Sequence, residues 1–241
     1  MKNTVTVVRM PGAGMIRVGQ QAELHWLRYR KLKIDTQFYR RLVLEISAAA
    51  DSERFVLISG GMGTHLYSNF ARDLGLGAEA VDECARSQIH TLHEVIKTFV
   101  TDQGLDVHQQ QVPISQLGNV LDSSSSKVIF IHPSDAHCST DDLAADAARC
   151  ASAKRLILFK ARVPYYTVGF ETETEVVSWP LRDMAKRAAD FELERRGSYI
   201  VSSSALKLIA SCSYDVELRS PAAVSLLGTQ NSHSDCTVVT R

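Results

Sequence analysis

The sequence predicts an α/β protein built on a mostly parallel sheet, and two observations carry that expectation. Short apolar runs recur along the chain, each followed by a turn and then a segment of helical periodicity. In residues 127–170 this pattern is most complete. Val128-Ile129-Phe130-Ile131 reads as a buried strand, and His132-Pro133-Ser134-Asp135-Ala136-His137-Cys138 as a loop that Pro133 prevents from continuing it. Ser139 with Asp142 three positions on is an acidic capping box. The helix it opens carries Leu143, Ala144, Ala147, Ala148 and Ala151 on one face, and Leu156-Ile157-Leu158-Phe159 then reads as a strand ending at Lys160. The unit is long enough for a parallel crossover. Its loop lies at the carboxyl end of a strand and the amino end of a helix, where open sheets bind ligands and free amides favour anions.

The remaining elements follow in order. Thr4-Val5-Thr6-Val7-Val8 is a β-branched run that enters Arg9-Met10-Pro11-Gly12-Ala13-Gly14, a turn where backbone can approach a phosphate. Residues 16–33 fit either a hairpin or a helix. A helix is expected from Asp35-Thr36 to Ala50, with Phe38, Leu42, Val43, Leu44 and Ile46 as its apolar face. Arg54 to Ile58 reads as a strand running into Ser59-Gly60-Gly61-Met62-Gly63-Thr64-His65, a denser glycine turn. No Gly-Lys-Ser/Thr closes that turn, so it is not a Walker motif. A helix through Leu66, Phe70 and Leu74 should end near Gly75 and Gly77, and a long helix should span about Ala80 to Thr101. Leu105–Val112 is expected as a strand and Ile114–Leu121 as a short helix. Beyond Lys160, helices are expected after Pro180 and after a Ser202 cap, with strands at Tyr199–Val201 and Asp235–Thr240.

Composition narrows the functional classes. The 241 residues carry 27 basic and 27 acidic side chains and 45% hydrophobic content, enough for one large domain. The densest basic cluster, Arg28 to Lys33 with Arg40-Arg41, reads as a solvated face rather than a nucleic-acid patch. No apolar run reaches the roughly 18 residues of a membrane helix, and the N-terminus has no secretory pattern. Cys84, Cys138, Cys150, Cys212 and Cys236 are scattered and odd in number, which fits reduced thiols in a cytoplasmic protein. Cys138 lies in the proposed ligand loop and is a candidate thiolate; its ordinary reading is a small packed side chain. His90 and His93 share a helix face and have metal-ligand spacing, without a third ligand to complete a site.

With these residues placed, the chain resembles the amino-acid kinase superfamily, in particular its uridylate kinase and molybdenum storage protein branches. The likeness rests on the opening strand with its glycine turn, on Ile58 to Gly63, and on Ser139-Thr140-Asp141 before an alanine-rich helix. It also rests on Lys160-Ala161 after a strand, on Leu181 to Ala189, and on the terminal Thr237-Val238-Val239-Thr240. The resemblance implies a three-layer αβα sandwich, with 1–126 as an acceptor and oligomer lobe and 127–241 as a nucleotide lobe. It implies ATP-dependent phosphoryl transfer, with Mg²⁺, to a small phosphate- or carboxylate-bearing acceptor. Arg9 and Asp141 would be the catalytic pair, and Gly12, Gly60, Gly61, Gly63, Thr140 and Lys160 would bind the nucleotide or the transferred group. A cytoplasmic homo- or hetero-oligomer, dimer or hexamer, is implied as well. Arg72 and Asp82 fall near the place where uridylate kinases hold their substrate.

The chain also departs from the family pattern. Arg9 replaces the family lysine, Pro11 replaces the first glycine, and Val163-Pro164-Tyr165-Tyr166 to Phe170 lacks the acidic and glycine residues of the base loop. The alternative implied by the storage branch is therefore a non-catalytic or weakly catalytic subunit holding nucleotide, molybdate or tungstate. In that case His90, His93, His132 and His137 are candidate cluster ligands.

Overall fold

The structure is a computed structural model, and it describes residues 4–11, 16–18, 32–34, 36–60, 65–133, 139–160, 165–167, 173–175, 178–186, 201–228 and 236–240. The strands are β1 (Thr4–Met10), β2 (Ile16–Val18), β3 (Leu32–Ile34), β4 (Glu53–Ser59), β5 (Val128–Phe130) and β6 (Arg155–Phe159). They continue with β7 (Tyr165–Thr167), β8 (Glu173–Glu175), β9 (Ser178–Pro180), β10 (Asp215–Arg219) and β11 (Cys236–Thr240). The helices are α1 (Thr36–Ala49), α2 (His65–Asp73), α3 (Ala78–Asp102), α4 (Leu117–Ser123), α5 (Thr140–Cys150) and α7 (Ser203–Ala210). Residues 181–186 are helical and are labelled α6.

Among the described residues seven strands make the central sheet, in the order β5-β4-β1-β6-β10-β11-β9, and only the β10–β11 pairing is antiparallel. Its layers follow from the two-residue period of a strand. Val7, Val56, Ile58, Ile129, Ile131, Leu156 and Leu158 pack on one face beneath α5 and α7. Their neighbours Val8, Met10, Phe55, Leu57, Val128, Phe130, Ile157 and Phe159 pack on the other beneath α1 and α3. Both faces of the sheet are covered, which is why its strands read as unbroken apolar runs. The expected α/β sandwich with a mostly parallel sheet is the observed one.

Several expectations change in detail. The crossover through α5 is real, but β6 does not pair with β5; it passes β4 and pairs with β1. Residues 16–34 contribute an antiparallel β2–β3 pair, which settles the hairpin alternative for those two strands. Leu105–Val112 is not a strand: only Val107 and Val112 make isolated bridges to the β5 segment. The expected Tyr199–Val201 strand falls outside the described residues except for Val201, which is buried but not in a strand. On α1, Phe38, Tyr39, Leu42, Val43 and Ile46 are buried, whereas Leu44 points to solvent at 69% exposure. The apolar face of α1 is thus used inside the subunit.

The α5 start is the capping motif the sequence predicts, with one difference. Ser139 Oγ accepts the Asp142 N–H at 3.2 Å and donates to Asp142 Oδ2 at 2.8 Å. Ser202, the N-cap of α7, and Ser204 donate to Asp142 Oδ1 at 2.8 and 2.6 Å. Asp142 therefore ties the amino ends of α5 and α7 together. Ser139→Ala should cost about 1 to 2 kcal/mol, read from urea unfolding, because a capping acceptor and a carboxylate partner are lost together.

Candidate functional site

The strand order fixes where a site can form. From β1 the chain steps outward through β4 to β5, then returns to add β6 and β10 on the other side of β1. The direction reverses between β1 and β6, and ligand crevices of open α/β sheets lie at the carboxyl ends of strands at such a reversal. Arg9 is the penultimate residue of β1, and Lys160 follows the last residue of β6. The first turn of α5, with Thr140 and Asp141, starts beside them.

These four residues make one connected cluster. Asp141 Oδ2 accepts Lys160 Nζ at 2.6 Å, and Asp141 Oδ1 faces Arg9 Nε at 3.1 Å. Arg9 also donates to Phe159 O at 3.1 Å and to Thr140 Oγ1 at 3.2 Å. The three charged side chains retain only 10–13% of their surface. The Arg9–Asp141 contact is an ion pair outside hydrogen-bond geometry, so Arg9 Nε and Asp141 Oδ1 are buried without a directed hydrogen-bond partner among the described residues.

The titration behaviour follows from two cations sharing one carboxylate. Burial by itself would raise the Asp141 carboxyl. Lys160 and Arg9, helped by the Ser202 backbone, outweigh it and hold the carboxyl below the ordinary aspartate value. Lys160 moves the other way: burial, with repulsion from Arg9, overcomes Asp141 and lowers its ammonium to about 8. Among the described residues Asp141 is the one carboxylate paired with these two cations, so the described cluster carries an excess positive charge.

The glycine turns are less completely placed. Gly60 is buried, and its N–H donates to Met10 O at 3.0 Å, so that amide joins the ends of β4 and β1 and is already engaged. Gly12, Gly61 and Gly63 lie outside the described residues, as do His137 and Cys138. Pro11 is buried at the end of β1 and offers no N–H. Arg72 on α2 and Asp82 on α3 are both exposed.

The histidines do not behave as a metal set. His93 Nε2 accepts the Ser59 N–H at 2.7 Å, and Nδ1 meets Gln111 Oε1 at 3.3 Å, so both ring nitrogens are engaged. His90 lies ring to ring with His132 at 5.2 Å. Among the described residues no cluster of three or more His, Cys, Asp or Glu has metal-binding proximity.

The sequence reading missed β10. Asp215, Glu217 and Arg219 alternate with Val216 and Leu218 there, and no element is expected between the Ala205 helix and Asp235. Glu217 and Arg219 are instead buried, because Arg155 Nε pairs with Glu217 Oε1 at 3.1 Å and Arg219 Nε with Glu217 Oε2 at 2.7 Å. The charge order along 215–219 was the available signal, and it needed Arg155 opposite to be read.

No protein-family profile and no curated protein matches the sequence. Solved structures do match in shape. The uridylate kinase of Archaeoglobus fulgidus superposes with TM-score 0.68 at 14% identity, over 98% of this chain and 99% of that one. The UMP kinase of Ureaplasma parvum gives 0.68 at 13% identity over 99% and 100%, and that of Bacillus anthracis 0.65 at 10% over 99% and 96%. Over essentially its whole length, the chain shares the fold of these uridylate kinase structures.

Proposed function

We propose that this protein transfers the terminal phosphoryl group of ATP to a small acceptor bearing a phosphate or carboxylate. The observation that carries the reading is the Arg9–Asp141–Lys160 cluster at the reversal of the sheet, two cations around one carboxylate. In the transfer, an acceptor oxygen forms a bond to the γ-phosphorus as the bond to the leaving ADP oxygen breaks. Such chemistry needs alignment and neutralisation of spreading negative charge more than covalent help. Arg9, anchored through Phe159 O and Thr140, offers a fixed fork, and Lys160 a point charge; Asp141 holds both in place. Residues 1–126 would carry the acceptor and subunit contacts, and 127–241 the nucleotide. A nucleoside monophosphate is the first acceptor to test, because the superposing structures are UMP kinases.

Mg²⁺ would supply further charge neutralisation on the phosphates. Asp141 is committed to two cations and Asp142 to three serine hydroxyls, so among the described residues of this turn no carboxylate is left to cage it. The ion would arrive on ATP. Pro11 favours a second reading, in which the same cations hold a tetrahedral oxyanion, phosphate, molybdate or tungstate, without turnover.

Calorimetric titration with ATP and Mg²⁺, followed by a UMP phosphorylation assay, tests the proposal. Binding should weaken as the pH rises through about 8, because Lys160 gives up its proton there and the site loses a positive charge. No binding at millimolar MgATP, with binding of phosphate or molybdate intact, would remove the kinase reading and leave the oxyanion one.

A further inference from the structure

The ladder between β4 and β5 stops one rung early. Ile131 N–H donates to Leu57 O at 3.2 Å, and the parallel pattern would next run from Ser59 N–H to Ile131 O. His93 of α3 occupies that position. Its Nε2 takes the Ser59 N–H at 2.7 Å, in place of the Ile131 carbonyl. The imidazole is wholly buried, against the Phe130 ring at 5.6 Å.

Its tautomer is set by its partners. A nitrogen that accepts from an amide bears no proton, so the proton is on Nδ1 and is donated to Gln111 Oε1 at 3.3 Å. Gln111 is oriented in turn, because its Nε2 donates to His90 O at 3.0 Å and to Glu94 Oε1 at 2.7 Å. Glu94 pairs with Lys97 at 2.6 Å. A chain of directed contacts thus runs from the surface of α3 to the carboxyl end of β4. There the next residue, Gly60, donates to Met10 O at 3.0 Å, one residue from Arg9.

We propose that His93 is a positioning residue: by standing in for the missing rung between β4 and β5, it fixes Ser59–Gly60 against Met10 and so sets Arg9 in the cation cluster. The inference deepens the site of the proposed function and rests on it only for the identity of the ligand. His93 does not reach the cluster itself. It acts through two backbone amides, and an apolar side chain of similar volume would fill the space without making the contact.

His93→Leu and His93→Gln separate contact from packing. Gln can place its amide oxygen near the imidazole Nε2 position; Leu cannot. In His93→Leu, amide hydrogen exchange of peptides covering Ser59–Gly60 should rise about tenfold or more relative to β6, and His93→Gln should restore most of the protection. Inorganic phosphate, titrated as the probe, should bind about tenfold more weakly to the Leu variant than to the Gln variant. Equal exchange at Ser59–Gly60 in His93→Leu and the wild type would overturn the proposal, as would equal loss in both variants at matched melting temperature. If the wild type binds neither phosphate nor MgATP, the functional reading fails, and the exchange comparison still decides the role of His93.

Discussion

Asp141→Asn should destabilise the folded protein by about 3 to 5 kcal/mol at neutral pH, the usual cost of leaving buried charges unpaired. The substitution preserves volume and the α5 first turn, so the loss isolates charge. Arg9 cannot shed its proton. Lys160 can, since it already sits near 8 with Asp141 present, so the cost should shrink as the pH is raised toward 9. An added anion should also offset it. Inorganic phosphate entering between Arg9 and Lys160 would replace the missing charge, so the melting temperature of the variant should rise more with phosphate than that of the wild type. Equal responses in the two proteins would mean that the cluster does not receive anions. MgATP binding should fall in the same variant, because Lys160 then loses the carboxylate that orients it, while Arg9 keeps Phe159 O and Thr140.

Stability should also fall steeply in mild acid, with His93 as the main histidine responsible. Burial lowers its imidazole from 6.5 to about 4, against opposing contributions from Gln111 and the Ile131 carbonyl; His90 and His132 lower it further. The sign follows from proton counting. Between those two values the unfolded chain binds a proton that the folded chain refuses, so acid favours unfolding. The contribution is complete above about 6.5 and is lost progressively as the pH falls toward 4. It amounts to on the order of 3 kcal/mol over the window. The titratable groups around this ring are His90 and His132, with Glu94 and Lys97 reached through Gln111. Glu94, itself held below the usual carboxylate range by Lys97 and Gln111, stays ionised across most of that interval. Urea unfolding at a series of pH values between 4 and 8 should show the fall in the wild type, and a much flatter profile in His93→Gln, which has nothing to titrate at that position. A similar slope in both proteins would assign the acid sensitivity elsewhere.

Most of this architecture was legible because its elements announce themselves locally. Val7-Val8, Phe55 to Ile58 and Leu156 to Phe159 are apolar on both faces, the mark of strands covered by helices on each side. Ser139 before Thr140-Asp141-Asp142 is a capping signal that needs no tertiary context, and Asp141 and Lys160 stood out through the resemblance of Ser139-Thr140-Asp141 and Lys160-Ala161 to the amino-acid kinase pattern. What could not be read was pairing across the chain. Residues 215–219 do not stand out as a buried strand until Arg155 is placed opposite Glu217, 62 positions away. His93 looks like half of a metal pair until Ser59 and Gln111 are found on its two nitrogens. Leu44 looks like part of the buried face of α1, but the helical turn carries it away from Phe38, Leu42 and Ile46. In each case the sequence offered a residue type and the fold supplied its partner.

The central place of β1 has a consequence for synthesis. Its two hydrogen-bonding edges are completed at different times: β4 is available after about residue 59, whereas β6 ends only at Phe159. Until then a nascent chain presents Thr6–Arg9 as an unpaired, apolar parallel edge, open to any other strand. Fragments that stop before Arg155 should therefore self-associate, whereas chains that extend through β11 should not. Hydrogen-bonded closure of that edge and assembly of Arg9 with Lys160 are one event, so a ribosome releasing a truncated product releases a sticky sheet and an empty-handed Arg9 together.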